Sequence, residues 1–109
     1  MTGTCEFGEV YLCRFAFTSG ALSKPRPVLV LFDIGADVLI CRITSVMHAG
    51  TLDMAIQHWQ QAGLSKPSVA RLNRLVTAEK TTLLHRLGSL SEPDARTVKA
   101  VWNQHMMLS

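Results

Sequence analysis

The sequence predicts a mostly β protein, a small and largely antiparallel sheet or barrel closed by one C-terminal helix. Three observations carry this reading. Residues 9–17 alternate with period two, residues 28–32 and 38–45 form apolar runs joined by a short turn, and only the segment after Ser91 repeats cleanly with helical spacing.

Taken in order, Glu9 to Phe17 sets Val10 and Leu12 on one face and Tyr11 and Cys13 on the other, which predicts a half-buried strand. Thr18 to Pro27 is built of turn and breaker residues. Its prolines, Pro25 and Pro27, flank Arg26 and bias Lys24 and Arg26 toward extended backbone, so the loop is stiff beside its arginine. Val28 to Phe32 is a continuous apolar run, predicted to be buried on both faces. Asp33 to Asp37 is a turn and Val38 to Ser45 a third strand; the connection is too short for a crossover helix, so the pair is an antiparallel hairpin. Met47 to Gly50 breaks the chain again, and Leu52 to Trp59 shows no decisive period. Ala62-Gly63 starts another turn. Ser68 to Val76 and Thr82 to Leu87 read as two further strands, the second running up to Gly88. Ser91 is an N-cap, with Pro93 in the first turn and Asp94 three residues on; Ala95, Val98, Trp102 and His105/Met106 then recur along one side of a helix.

At 109 residues the chain has room for one domain, residues 1–109, and with 48% hydrophobic against 17% charged residues it can bury a core. The longest apolar run is far too short to cross a bilayer, and the N-terminus shows no basic-then-apolar pattern, so neither a membrane partner nor a signal peptide is expected and the location is cytoplasmic. A net charge of +3 permits a polyanionic partner without requiring one. Cys5, Cys13 and Cys41 are odd in number and scattered, which reads as reduced thiols. The four histidines and three cysteines lack metal-ligand spacing, and the glycines lie singly, so no metal, phosphate loop or other cofactor is expected. Ser19, Ser23 and Ser45 lack a nucleophile-elbow context. Two polar features remain. Lys24-Pro25-Arg26-Pro27 is either a solvated basic loop or a guanidinium held for bidentate phosphate binding, and Thr44-Ser45 supplies either ordinary strand-end hydroxyls or a hydroxyl donor at the mouth of a barrel.

Gly8 to Val10, Phe15 to Thr18, Ser23 to Val30, Ile43 to Ser45, Lys66 to Leu72 and Leu87 to Ser91 occur in this order, and the ordered set resembles the MazF/PemK family of bacterial toxins, encoded beside an antitoxin. The resemblance spans nearly the whole chain. It implies an SH3-like antiparallel barrel with a C-terminal α-helix, and metal-independent endoribonuclease cleavage of single-stranded RNA. RNA carries its own nucleophile, the 2′-OH, so the protein must align that hydroxyl, stabilise the phosphorane and manage two protons, leaving a 2′,3′-cyclic phosphate and a 5′-OH. By the same resemblance the catalytic residues are Arg26 of the R-P motif, Thr44 of the I-T-S segment, and Arg71. Lys24, Ser45, Asn73 and Arg74 are expected to contact RNA. The resemblance further implies a homodimer and a cognate antitoxin, with DNA contacted only through that antitoxin.

Two positions depart from the family pattern. Glu9 stands for the usual aspartate of G-D-V and keeps its charge. Asn73 stands where V-R-L-D or V-R-C-D segments carry an aspartate, and an amide cannot take the 2′ proton. Either another group serves as base, or positioning and charge stabilisation suffice, or the chain is a weak nuclease. The alternative function is therefore a barrel of the same family that acts by binding RNA, an antitoxin, or a protein target such as DNA gyrase, as related CcdB toxins do. Those toxins use a C-terminal Trp-containing tip, whereas Trp102 here lies mid-helix. Base recognition would fall to the loops Thr18 to Pro25 and Met47 to Asp53, neither of them rich in aromatics.

Overall fold

A computed structural model describes residues 3–14 and 24–108. Strands β1 (Glu9–Cys13), β2 (Arg26–Ile34), β3 (Asp37–Thr44), β4 (Asp53–Ala55), β5 (Val69–Glu79) and β6 (Leu83–Ser89) precede helix α1 (Glu92–His105). They form one six-stranded sheet in the order β4-β5-β3-β2-β1-β6, and every pairing is antiparallel. The expected β2–β3 hairpin is present, turning at Gly35 with Ile34 opposite Asp37. The ambiguous segment after Leu52 resolves into the three-residue β4 followed by turns.

The short link after β5 dictates the shape. β5 and β6 lie four strand spacings apart in the sheet order, about 19 Å if the sheet were flat. Yet only the 3-10 turn Lys80–Thr82 joins them, a reach of about 14 Å from Glu79 to Leu83. The sheet must therefore curl until these ends meet. β4 and β6 nonetheless remain unpaired with each other, so the expected barrel is a curled open sheet.

Curling gives the sheet two buried faces. On one, Val10, Leu29, Cys41, Ile43, Ala70 and Leu72 pack with Val98 of α1; on the other, Tyr11, Cys13, Val28, Val30, Val38 and Ile40 pack with Cys5, Ala78 and Leu83. The alternation of partners along each strand is the period-two pleat. β1 is accordingly not half-buried as its alternation predicts: Val10 packs in one of the two clusters and Tyr11 and Cys13 in the other, so both faces of the strand are covered. β2 departs in the opposite sense. Its burial ends at Val30, and Phe32 is 64% exposed. A register shift between Val30 and Phe32 sets two steps of β2 against one of β3, and this bulge turns Leu31 and Phe32 into a groove beside α1, of about 540 Å³, lined also by Phe7, Leu39, Val98 and Trp102. β5 runs three residues past Val76, held by its ladder with β3, and β6 continues through Gly88 rather than stopping there.

Gly88 is required at that point. A Cβ on it would lie 2.7 Å from the Ala62 carbonyl carbon, and one on Gly63, whose φ is +83°, would collide with the Leu87 carbonyl oxygen. The loop before Leu64 thus lies backbone against backbone on β6, which side chains at 63 and 88 would prevent. α1 begins as predicted: Ser91 caps it, its hydroxyl accepting from the Asp94 N–H at 3.2 Å. Asp94 has a wider role than the first-turn acid read from the sequence. It is buried, and its carboxylate accepts the Gln57 and His58 N–H groups at 3.0 and 2.9 Å, tying that same loop to the helix start. The three cysteines are buried free thiols, and burial pushes Cys41 up to about 12.

Candidate active site

The face that buries Val28, Val30, Val38 and Ile40 changes character toward one end of the sheet. Two residues beyond Ile40 on the same face of β3 comes Arg42, and two further comes Thr44. The registers set these among named neighbours. One row across the strands reads Tyr11, Val28, Arg42, Arg71, Asp53, from β1 through β2, β3 and β5 to β4. The next row outward pairs Cys13 with Arg26, and Thr44 with Val69; continuing the β2–β3 register beyond Val28 and Arg42 brings Arg26 across from Thr44. Arg26, Thr44 and Arg71 are thereby brought together on three adjacent strands.

Each is held differently. Arg26 and Pro27 belong to β2 itself rather than to the preceding loop, as read from the sequence. The missing Pro27 N–H is tolerated because the β3 ladder starts only at Val28. Arg26 is exposed, and among the described residues no carboxylate pairs with it. Thr44 is buried to 9% exposure, and its Oγ1 accepts the Val46 N–H at 3.1 Å, which orients the hydroxyl and leaves its proton free to donate outward. Arg71 Nε donates to Asp53 Oδ1 at 2.8 Å, with 16% and 5% of the two side chains exposed. Burial alone would raise the Asp53 carboxyl. The Arg71 hydrogen bond, the Gly50 N–H and the charges of Arg71 and His48 together hold it below the usual range.

The other anticipated residues lie on the rim. Lys24 and Ser45 are exposed at the ends of the segments flanking Arg26 and Thr44. Asn73 and Arg74 are exposed in a bulge of β5: Cys41 pairs with Leu75 but Arg42 with Arg71, so residues 72–74 have no partner on β3. Of the two loops expected to recognise bases, 18–25 falls, up to residue 23, outside the described residues, while residues 47–51 of the other are exposed beside the site.

Two residues of the site escaped the sequence reading, Arg42 altogether and Asp53 except as the last residue of the loop expected to recognise bases. Asp53 gave no local signal, since its partner lies on another strand. Arg42 did give one: a charge two residues before Thr44, in a strand otherwise apolar. Its Nε is buried and has no hydrogen-bond partner among the described residues. Burial first, then the charges of Arg26, Arg74 and Arg71, press its pKa below the ordinary arginine value. Among the described residues no group of three or more His, Cys, Asp or Glu side chains could hold a metal ion, and no helix is long and apolar enough to cross a membrane.

A curled antiparallel sheet with guanidinium groups and an oriented hydroxyl gathered on one face defines a class, that of small β proteins with a cationic face suited to phosphate esters. The chain belongs to the PemK-like, MazF-like toxins of type II toxin-antitoxin systems, whose family model matches residues 6–105. It is 34% identical over 102 residues to the "Probable endoribonuclease MazF" of Mycolicibacterium smegmatis, covering 86% of this chain and 90% of that one. In fold it is similar to the Mycobacterium tuberculosis toxin MazF-mt6, with a TM-score of 0.73 at 19% identity, covering 93% of this chain and 99% of the other. It is likewise similar to a mycobacterial endoribonuclease solved in complex with its cognate antitoxin, with a TM-score of 0.74 at 18% identity and 97% and 98% coverage.

Proposed function

We propose that this toxin is an endoribonuclease that cuts single-stranded RNA by attack of the 2′-OH on the adjacent phosphate, without a metal ion, giving a 2′,3′-cyclic phosphate and a 5′-OH. The observation that carries this is the convergence of Arg26, Thr44 and Arg71 on one face, where the carboxylate among them, Asp53, is tied to Arg71. That leaves Arg26 with its charge unneutralised, and a guanidinium stays charged at any working pH. Arg26 stabilises the developing phosphorane charge. Thr44, its oxygen engaged by the Val46 N–H, donates its proton to a nonbridging oxygen. Arg71, oriented by Asp53, presents its remaining N–H groups to the substrate. Lys24, Ser45, Asn73 and Arg74 line the path of the flanking nucleotides.

The chain works in the cytoplasm as a two-fold homodimer restrained by a cognate antitoxin, and it meets DNA only through that antitoxin. Support comes from the antitoxin-bound structural relative and from Phe32, Val46 and Met47, which are more than half exposed. The test is incubation of the purified protein with mixed-sequence RNA in the presence of a chelator, with the product ends mapped. Cyclic phosphate termini are expected. Arg26→Ala should remain folded and lose on the order of 10²-fold or more in rate; wild-type cleavage by that variant refutes the assignment.

A further inference from the structure

Arg42 has no place in the roles just assigned, and its surroundings are hard to reconcile with a structural one. In the row Val28, Arg42, Arg71, Asp53, the only carboxylate is at the far end and is engaged by Arg71. Val28 on the other side is apolar and fully buried. No carboxylate pairs with Arg42 among the described residues, and its Nε is buried without a hydrogen-bond partner. Three more arginines, Arg26, Arg71 and Arg74, press on it electrostatically. A half-buried position of this kind, with Nε shut off from water in a strand reading Val-Leu-Ile-Cys-Arg-Ile-Thr, favours an apolar side chain on stability grounds alone. A guanidinium nitrogen left there without a partner costs stability that an arriving anion would offset.

Geometry says where the anion comes from. Arg42 and Thr44 share one face of β3, with Cα atoms about 7 Å apart. Arg26 lies diagonally across β2 from Arg42 and opposite Thr44. Arg42 is thus the residue beneath the gap that Arg26 and Thr44 flank, one row nearer the core. We propose that Arg42 is a catalytic residue of this site, the floor of its phosphate cradle, whose guanidinium donates to a nonbridging oxygen of the phosphate held by Arg26 and Thr44. The proposal rests on the endoribonuclease reading for its catalytic part and on the cationic face alone for its binding part. Arg26 closes the cradle from the solvent side and Arg42 from below, so the negative charge of the phosphorane is met from two directions in a partly desolvated place. The arginine is in place with its Nε already shut off from water before substrate arrives, so little reorganisation accompanies the reaction.

The experiment uses Arg42→Met, which keeps the bulk of the stem and removes the charge, and Arg42→Lys, which keeps the charge without the planar fork. Three quantities are read for parent and variants: thermal melting without ligand, initial rate on single-stranded RNA, and the salt dependence of binding to a 2′-O-methyl oligonucleotide that cannot be cut. Arg42→Met should melt no lower than the parent and cut ~10²-fold more slowly. Its log-log salt slope should be shallower by roughly 0.7, one phosphate contact on a single strand. Arg42→Lys should keep the slope and recover part of the rate. A variant Arg42→Met that melts well below the parent, with activity falling in step, overturns the proposal in favour of a structural arginine. So does parental cleavage with an unchanged slope. If the parent binds the oligonucleotide but cuts no RNA, the endoribonuclease reading falls, and the slope of Arg42→Met still decides the phosphate contact; a parent that neither cuts nor binds overturns both.

Discussion

Residue 73 shows how much one atom can decide at this site. An Asn and an Asp are nearly the same size, but only the carboxylate can accept a proton from the 2′-OH. Asn73 is exposed within the β5 bulge, two residues from Arg71 and next to Arg74. A carboxylate introduced there would be kept ionised by those guanidinium groups and could serve as general base. Asn73→Asp is therefore expected to raise RNA cleavage, by about 10²-fold if it supplies a missing base, and to add an acidic limb to the pH-rate profile. Equal or lower activity with an unchanged profile would show that the amide already orients the hydroxyl and that another group takes the proton. Legibility in the sequence divides along the same line. Arg26 and Thr44 could be singled out because each sits in a local motif, a proline-flanked arginine and a hydroxyl ending an apolar run. Asp53 could not, because what distinguishes it is a partner on another strand; Arg42 shows as a lone charge in an apolar run, but its want of a partner is visible only once the strands are paired.

Among the elements, the β2–β3 turn carries more than its hairpin. Asp33 accepts the Lys80 ammonium at 2.7 Å, the Cys5 N–H at 2.7 Å and the Gly35 N–H at 2.8 Å, so one carboxylate joins the turn, the 3-10 link and the N-terminal segment. The Lys80 hydrogen bond, then the two backbone N–H groups, hold its pKa down at about 2. A carboxyl whose folded pKa lies below its unfolded one binds protons less readily when folded. Its stabilising effect is complete above about pH 4 and disappears as the pH falls from there toward 2. Asp33→Asn should melt lower than the parent at neutral pH, and the two melting curves should converge across that acidic window; parallel loss down to pH 2 would show that the ion pair contributes nothing. The elements themselves were largely legible. All the long strands and the capped helix follow from period and cap chemistry. The misjudged bounds, at β5, β6 and both ends of β2, lie where a neighbouring strand, rather than local propensity, prolongs the ladder.

For the whole molecule, strand order was the part that local pattern could not supply. Nothing in residues 80–82 announces that they close a curled sheet, yet their shortness, set against the order of strands, leaves no other shape. Curling also leaves apolar surface uncovered where β2 bulges and beyond the end of β3, at Phe32, Val46 and Met47. A second copy is the expected cover. Light scattering across micromolar concentrations should give about twice the chain mass of 12.0 kDa; a single-chain mass throughout that range would refute the dimer.

The close contact of Gly63 with β6 bears on genetics. A toxin invites selection for survivors: cells expressing it are plated, and the genes of those that grow are sequenced. Any side chain at Gly63 or Gly88 must push two backbones apart, at a cost of about 1–3 kcal/mol or more. Survivors should thus gather at these two codons as readily as at the codon for Arg26, although neither glycine belongs to the arginine-bearing face. Soluble yield separates the groups. Gly63→Val and Gly88→Val should disarm the toxin by lowering the amount of folded protein, whereas Arg26→Ala should accumulate normally and be harmless. A map of escape mutations drawn without that measurement would place a second active site where there is only a tight joint.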